Sequence, residues 1–402
     1  MTRDFRIVVA GAGVAGLTVA SLLAQSARAD RLRLTVVDAA PRPVFDKDDD
    51  VALRVSAIAQ GSADLLAGIG AWHEVVSTRA CAYDHMRVWD EADSPDGDAT
   101  LSFDADEFVV PHLGYIVENA LLRHALIGVL ESLDVDLRFG TAIESVTPRE
   151  ETHRILLSAG GGLDADLVIA ADGARSPVRE SLGIDVSRLA YEQTAFVTHL
   201  IPDHAHGHTA WQRFLRQGPI GMLPLDDGRI SVVWSTSPEK AEEAMGMDDD
   251  ALGGCLSDVT DRALGELRVA GPRGAFPLAA QHAAEYVKCG VALIGDAAHT
   301  VHPLAGQGAN LGLQDAEGLA AVVIAALEAG ENPADRPVLR RYERARKGAN
   351  AAMMHFMTGL NRLFASDSQV VGEVRRAGMK LFNKAGPIRN RVVGVALGAG
   401  RR

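Results

Sequence analysis

The chain has 402 residues, 47% apolar and 5% aromatic, ordinary for a globular protein and enough for one large composite domain or two of usual size. A net charge of −13 excludes a general affinity for nucleic acid, although 335–402 is itself basic, with 15 Lys/Arg against 4 Asp/Glu. Cys81, Cys255 and Cys289 are far apart and form no Cys-x-x-Cys pair, so neither a disulfide framework nor a zinc site is expected, and a reducing compartment fits.

Residues 5–10, FRIVVA, read as a strand that runs directly into Gly11-Ala-Gly13-Val-Ala-Gly16 and then a helix over 17–26. Arg3, Arg6 and the apolar residues up to Ala24 imitate a secretory leader, but Asp4 and the glycine spacing argue against one. A second strand, 32–37, ends in Asp38, 22 residues after Gly16. That is near the ~20 expected of an acid that bonds an adenosine ribose. Gly11 would allow the tight turn, Gly13 the approach of backbone to a pyrophosphate, and Gly16 the packing of helix on strand. A lone Gly-x-Gly-x-x-Gly says little, whereas strand, loop, helix, strand and acid in this order point to a dinucleotide.

Residues 41–51 form a Pro/Asp-rich loop, and Arg54 beyond it either reaches back to the phosphates or is an ordinary surface arginine. A helix is expected over 60–69, strands over 83–89 and 99–103, an amphipathic helix over 116–130, and strands over 134–139 and 142–146. A hairpin turns at Gly160-Gly161-Gly162. Next, 166–172, DLVIAAD, reads as a buried strand ending in Asp172-Gly173, followed by Arg175 and Arg179, which serve an anionic cofactor or simply decorate a turn. From about 183 the texture changes to strands at 194–201, 212–215, 218–225 and 229–235, then an acidic helical stretch over 239–267. This middle region reads as a separate antiparallel sheet suited to wall a substrate pocket.

In 291–312, VALIGDAAHTVHPLAGQGANLG, a short apolar strand stops at Gly295-Asp296; His299, His302, Pro303 and the glycines Gly306, Gly308 and Gly312 follow, and a helical stripe runs over 309–327. An acid at a strand end and a helix start behind a glycine loop suit a polar, partly anionic ligand, because free N–H groups and the positive end of a helix dipole face it. His299 and His302 with Asp296 have a metal-like spacing, but the loop offers no Cys or Glu ligand and no metal is expected. A further helix is expected over 338–364, and no stretch reaches the ~18 to 20 apolar residues of a spanning helix.

The dinucleotide fingerprint, Asp172-Gly173 and Gly295-Asp296, in this order, resemble the flavoprotein aromatic hydroxylases, the class A monooxygenases of the p-hydroxybenzoate hydroxylase fold, over nearly the whole chain. Leu53-Arg54-Val55-Ser56, Gly114-Tyr115-Ile116-Val117-Glu118-Asn119, Gln212-Arg213-Phe214 and 299–310 look like the ubiquinone-biosynthesis hydroxylase branch. The resemblance implies an α/β fold: a discontinuous Rossmann-type FAD-binding domain from 1–75, 105–182 and 285–335, an inserted antiparallel β-sheet substrate domain from 76–104 and 183–284, and a C-terminal helical region over 336–402. It implies FAD, with Gly11, Gly13, Gly16 and Asp38 at its ADP part and Arg54 and Arg123 beside the pyrophosphate and ribityl chain. Asp172 and Gly173 would serve FAD and NAD(P)H contacts, Gly295 and Asp296 the ribityl hydroxyls, and Gly306, Gly308 and Asn310 the isoalloxazine. Pro303 would lay its carbonyl over the reactive flavin edge beside a pocket-lining His302, both in positioning roles. Arg213, Phe214, Leu223 and Pro303 would line the substrate pocket.

The implied activity is hydroxylation of the ring of a polyprenylated phenol in ubiquinone biosynthesis through a flavin C4a-hydroperoxide, with O2 and with NAD(P)H or another reductant as transient donor. A dry pocket is implied too, since water promotes loss of hydrogen peroxide. A hydroxylase of a soluble aromatic substrate, and a non-catalytic flavin-binding subunit of a quinone-biosynthesis protein complex, share every FAD motif. In the tail, Met353, Met354, Phe356, Met357, Leu360, Leu363 and Phe364, flanked by Arg362, Arg375, Arg376 and Lys380, read as a face by which a cytoplasmic protein touches a membrane surface, or as helix-packing core or a subunit contact.

Overall fold

The computed structural model describes residues 4–302, 306–366, 368–386, 389 and 394. Phe5–Ala10 is the centre of a six-stranded sheet, flanked by Leu32–Val37 and Asp136–Arg138 on one side and by Leu167–Ala170, Val291–Leu293 and Val287–Lys288 on the other. All pairings are parallel except that of Val287–Lys288. Leu167–Ala170 and Val291–Leu293 are buried at every position, the continuous apolar texture of strands covered on both faces. The helices Val14–Ala24, Asn119–Ser132 and Gln307–Ala329 pack into the same core as this sheet.

The strands expected over 83–89 are two strands in two sheets, Ala80–Tyr83 and His85–Asp90. Ala80–Tyr83 joins Gly114–Glu118 and Val55–Ala59 in a three-stranded sheet, whereas His85–Asp90 joins an eight-stranded one. The helix expected from 116 begins at Asn119, because 116–118 is strand edge-paired on both sides. The larger sheet runs His299–Thr300, Leu267–Ala283, Val186–Pro202, Ile230–Thr236, Gly218–Pro224, Thr209–Leu215, His85–Asp90, Leu101–Asp104. The helical stretch expected over 239–267 ends at Val259, and Leu267–Ala283 is a 17-residue strand to which no element was assigned; its Gly and Pro residues hide a strand pattern that the long pairing with Val186–Pro202 imposes.

Two helices, Pro238–Gly246 and Asp249–Val259, cover one face of this sheet over Trp89, Phe196, Met222, Val232 and Trp234. Gly308–Ala329 is long and apolar enough to cross a membrane by length and composition, contrary to the expectation that no such stretch exists; it is mostly buried in the protein, which makes it a core helix. The C-terminal helices are Arg336–Phe364 and Gln369–Lys384. Much of the apolar stripe of the first is packing core: Met357 and Phe364, with Met379 of the second, are buried against Val88, Ala99 and Phe214. Arg375, expected to flank a membrane face, is instead paired with the buried Asp90 and lies over the Phe364 ring.

Candidate active site

Gly11 ends the central strand with φ +100°, and a Cβ there would lie 2.3 Å from the Ala171 carbonyl oxygen, so only glycine fits. A Cβ on Gly16 would lie 2.0 Å from the Gly11 oxygen. Gly13, in contrast, has nothing within 4 Å of its Cβ position: backbone is exposed to an open cradle. It is the N-cap of Val14–Ala24, which has no side-chain cap and no acid in its first turn, leaving N–H groups for an anion. Asp38 sits beside this loop, accepting from Ala12 N at 2.6 Å and Ala40 N at 2.7 Å. Arg123 arrives from another helix, donating through Nε to the Ala12 oxygen at 2.8 Å and lying 3.9 Å from Asp38.

The second half of the site abuts the first through small residues. A methyl group on Gly295 would stand 3.5 Å from Ala15 Cβ and 3.8 Å from Gly312 Cα, which places the start of the Gln307–Ala329 helix against the start of Val14–Ala24. Burial pushes the Asp296 carboxyl up, with His299 and Arg54 pulling the other way, yet its surface is open. Surrounded but solvent-facing, it lines the wall of a recess, and Arg54 is near enough to share its field. Gly306, with φ 63°, is the N-cap of Gln307–Ala329; a Cβ on it would meet that of Ala57 at 2.9 Å. Gly308 faces open space, and this helix too has no side-chain cap and no acid in its first turn. Asn310 is buried, and its side chain is committed to backbone: Nδ2 donates to Ala57 O at 2.8 Å and Oδ1 accepts from Ala59 N at 2.9 Å.

Asp172 accepts from Val178 N at 3.1 Å through one oxygen, while the other is buried with no partner among the described residues. Burial raises its carboxyl above the usual range. Gly173 follows with φ +85° and an open Cβ position. Arg179 does not reach a cofactor: it is fully buried, and donates to the Ala297 and Ala174 oxygens at 2.9 Å each, stitching the 172–179 turn to the 295–298 turn. Gln281 repeats the stitch, donating to Ala174 O and Asp296 O.

A cluster absent from the sequence reading stands behind these turns. Asp315 accepts from His299 Nε2 at 2.5 Å, Gly295 N at 3.1 Å, Arg346 Nε at 2.8 Å and Asn350 Nδ2 at 3.0 Å. Burial alone would raise this carboxyl, but His299, Arg346 and the Asn350 amide hold it below the usual range. The signal was present: Asp315 falls within the apolar stripe, four residues from both Leu311 and Leu319, and a buried carboxylate must be paired. His299 and His302, read together as a metal-like pair, take different partners: Asp315 for one and Gln193 for the other.

The structure separates Arg213 from Phe214. As neighbours on a strand they point to opposite faces. Arg213 turns to the helix side, donating to Val259 O at 2.9 Å, while Phe214 stacks on Phe364 at 3.9 Å. Arg213 therefore stands away from the Phe214 face, where both were expected. Leu223 packs with Ala57, Cys81 and Ile116 between the three-stranded and eight-stranded sheets. Pro303, expected at the flavin edge, lies outside the described residues. His302, adjacent to it, is 0% exposed, and burial pushes its imidazole down to about 4.

A family model described as an FAD binding domain matches residues 4–357. The chain belongs to this FAD-binding family. It is 35% identical over 393 residues to the 3-demethoxyubiquinol 3-hydroxylase of Escherichia coli (strain K12), covering 98% of each chain. It is also 33% identical over 437 residues to the mitochondrial ubiquinone biosynthesis monooxygenase COQ6 of Danio rerio, covering 98% of this chain and 89% of that one. The fold is shared with p-nitrophenol 4-monooxygenase PnpA from Pseudomonas putida DLL-E4, at a TM-score of 0.78 and 20% identity over 100% of both chains. As a member of this FAD-binding family, the protein is an FAD-dependent aromatic-ring monooxygenase. Its residues fit the cofactor: an open Gly13 cradle, two uncapped helix starts, the unpartnered Asp172 oxygen, and an Asp296 carboxylate with no hydrogen-bond donor among the described residues.

Proposed function

We propose that this protein hydroxylates the ring of a polyprenylated phenol on the route to ubiquinone, using O2 and a transient reductant such as NAD(P)H. The observation that carries this reading is near full-length similarity to two proteins, a bacterial one named as a hydroxylase of 3-demethoxyubiquinol and a vertebrate one named as a monooxygenase of ubiquinone biosynthesis. Bound FAD supplies the redox and oxygen chemistry. Gly11, Gly13, Gly16, Asp38 and Arg123 would hold its ADP end, and Arg54, Asp172 and Asp296 its middle. The start of Gln307–Ala329, which has no side-chain cap and no acid in its first turn, would offer N–H groups and a partial positive charge to the ring, worth ~0.3 to 2 kcal/mol for an adjacent anion. The apolar cluster around Leu223 would help keep water from the reacting edge.

A peripheral seat on the cytoplasmic side of a membrane is part of this reading. It is supported by Gln369–Lys384, where Val370, Val374 and Leu381 are 70%, 66% and 69% exposed on a helix that also carries Arg376 and Lys380. Such a seat brings the pocket to a lipid-soluble substrate.

The test is quinone-intermediate profiling in cells lacking the protein, with complementation by the wild-type chain. Accumulation of a prenylated phenol short of one ring hydroxyl, reversed on complementation, is expected. An unchanged quinone pool would sink the proposal, and a soluble aromatic substrate turned over with tight coupling would replace it.

A further inference from the structure

Tyr191, Gln193, His302, Thr358 and Asn361 form a polar cluster drawn from three distant segments. His302 Nε2 and Asn361 Nδ2 each lie 3.1 Å from the one oxygen Oε1 of Gln193, whose own Nε2 donates to Gln217 O at 2.9 Å. Tyr191 packs edge-on against the imidazole, with centroids 4.8 Å apart and planes at 79°, and its hydroxyl pairs with Thr358 Oγ1 at 2.9 Å. The amide oxygen only accepts, so His302 must present Nε2–H to it. That assigns the tautomer of the neutral ring and leaves Nδ1, buried and without a partner among the described residues, as a bare acceptor.

The strand is distorted to make this cluster. The pairing of Val186–Pro202 with Leu267–Ala283 shifts register twice, between Thr198 and Leu200 and between Ala190 and Thr194; at the latter, Ala190 and Thr194 stand opposite Ala279 and Pro277, so the strand carries extra residues at 191–193. Glu192 in the middle has φ 53°, a left-handed conformation that a residue other than glycine adopts at a cost. Bulges of this kind re-aim side chains. Here the bulge delivers Tyr191 and Gln193 together to one imidazole, on the residue immediately before 303.

We propose that Gln193 is a positioning residue for the hydroxylation: it holds His302 in one ring orientation and one tautomer beside the flavin-facing loop, and Asn361 ties that setting to the C-terminal helix. The proposal rests on the assignment of the 299–308 segment to the flavin ring. A misplaced loop in such a site costs turnover and leaks reduced oxygen as peroxide, with losses on the order of 10- to 100-fold for displacements near 1 Å.

The full chain, loaded with FAD, tests it as Gln193→Met, which removes both hydrogen-bonding functions at similar length, as Asn361→Leu, and as Gln193→Glu, which keeps an accepting oxygen. Three readouts are taken: the visible absorption spectrum of the bound flavin, the fraction of reducing equivalents released as hydrogen peroxide, and kcat against KM. Expected for Gln193→Met and, more weakly, Asn361→Leu are a shifted flavin spectrum, a larger peroxide fraction and a fall in kcat exceeding any rise in KM. Gln193→Glu, whose carboxylate accepts from Nε2–H but favours the imidazolium, should fall between Gln193→Met and wild type and lose coupling further as pH is lowered. Wild-type spectra and coupling in both Gln193→Met and Asn361→Leu, even with lowered melting temperatures, would overturn the proposal by showing a purely structural bridge. Should Gln193→Met not fold, Asn361→Leu decides alone by the same spectrum. The spectrum does not depend on the substrate, so failure of the ubiquinone-pathway assignment is visible separately, as absence of turnover by the wild-type protein with every prenylated phenol.

Discussion

Asp315 and His302 are both 0% exposed, and they secure opposite ends of the same 295–302 segment. Around Asp315 the partners include a guanidinium and an imidazole, and both carboxylate oxygens are used by Gly295, His299, Arg346 and Asn350. Around His302 the partners among the described residues are an amide oxygen and a phenol ring, and one ring nitrogen is left without a bond to any of them. The first cluster is ionic and saturated, the second neutral and open by one acceptor. A saturated network fixes a turn; an incompletely satisfied one stores a cost that stability alone does not explain. The difference teaches that the Gly295-Asp296 end is built to stay put, whereas the His302 end is held in a specific chemical state.

The largest effect should come from breaking the ionic cluster. Asp315→Ala strands Arg346 in the interior and should cost roughly 3 to 5 kcal/mol, read from urea unfolding at pH 7. A cost below about 1 kcal/mol, comparable to a surface change, would remove the distinction between the two clusters.

Acid separates them next. His302 is depressed from an ordinary 6.5 to about 4, so the unfolded chain binds a proton that the folded chain refuses. The stability this group allows is complete above about 6.5 and falls as pH drops toward 4. Between pH 7 and 5 that loss should be roughly 2 kcal/mol, and it should be absent from the difference in His302→Gln. Asp315 has the same sign of dependence in a lower window: its folded value is depressed below 3.8, so its contribution is intact between pH 7 and 5 and is lost only at still lower pH. Urea midpoints of both variants and wild type at pH 7 and 5 check this; equal acid sensitivity in wild type and His302→Gln would contradict it.

The contrast also explains what could be read in advance. Gly11, Gly13, Gly16 and Asp38 are local: a tight turn, an open backbone and an acid at a strand end lie within one strand–helix–strand unit, and the structure gathers them with Arg123. Gly295, Asp296 and Gly306 were legible for the same reason. Gln193 was not, because its role depends on a bulge set by pairing with a strand some 80 residues later, and that strand, Leu267–Ala283, was itself hidden by its Gly and Pro content. Arg213 misled because a strand dipeptide was assigned to one face, whereas alternation sends its guanidinium to Val259. Arg179 fits neither of the two roles left open for it, a cofactor contact or a surface charge on a turn, because burial makes it a staple for carbonyls.

The smallest expected effect asks whether the clusters are independent. Both are anchored on the one helix Arg336–Phe364, Asp315 through Arg346 and Tyr191 through Thr358. Twelve residues of helix separate those anchors by about 18 Å, beyond the ~7 to 10 Å over which substitutions normally couple. Thr358→Val removes one hydroxyl partner from Tyr191 and should cost about 0.5 to 1.5 kcal/mol. Combined with Asp315→Asn in a double-mutant cycle, it should add within ~0.5 kcal/mol. A larger coupling energy would mean that the helix transmits strain between the ionic end and the neutral end, so that the two clusters set the 295–302 segment as one unit rather than fixing one end and tuning the other.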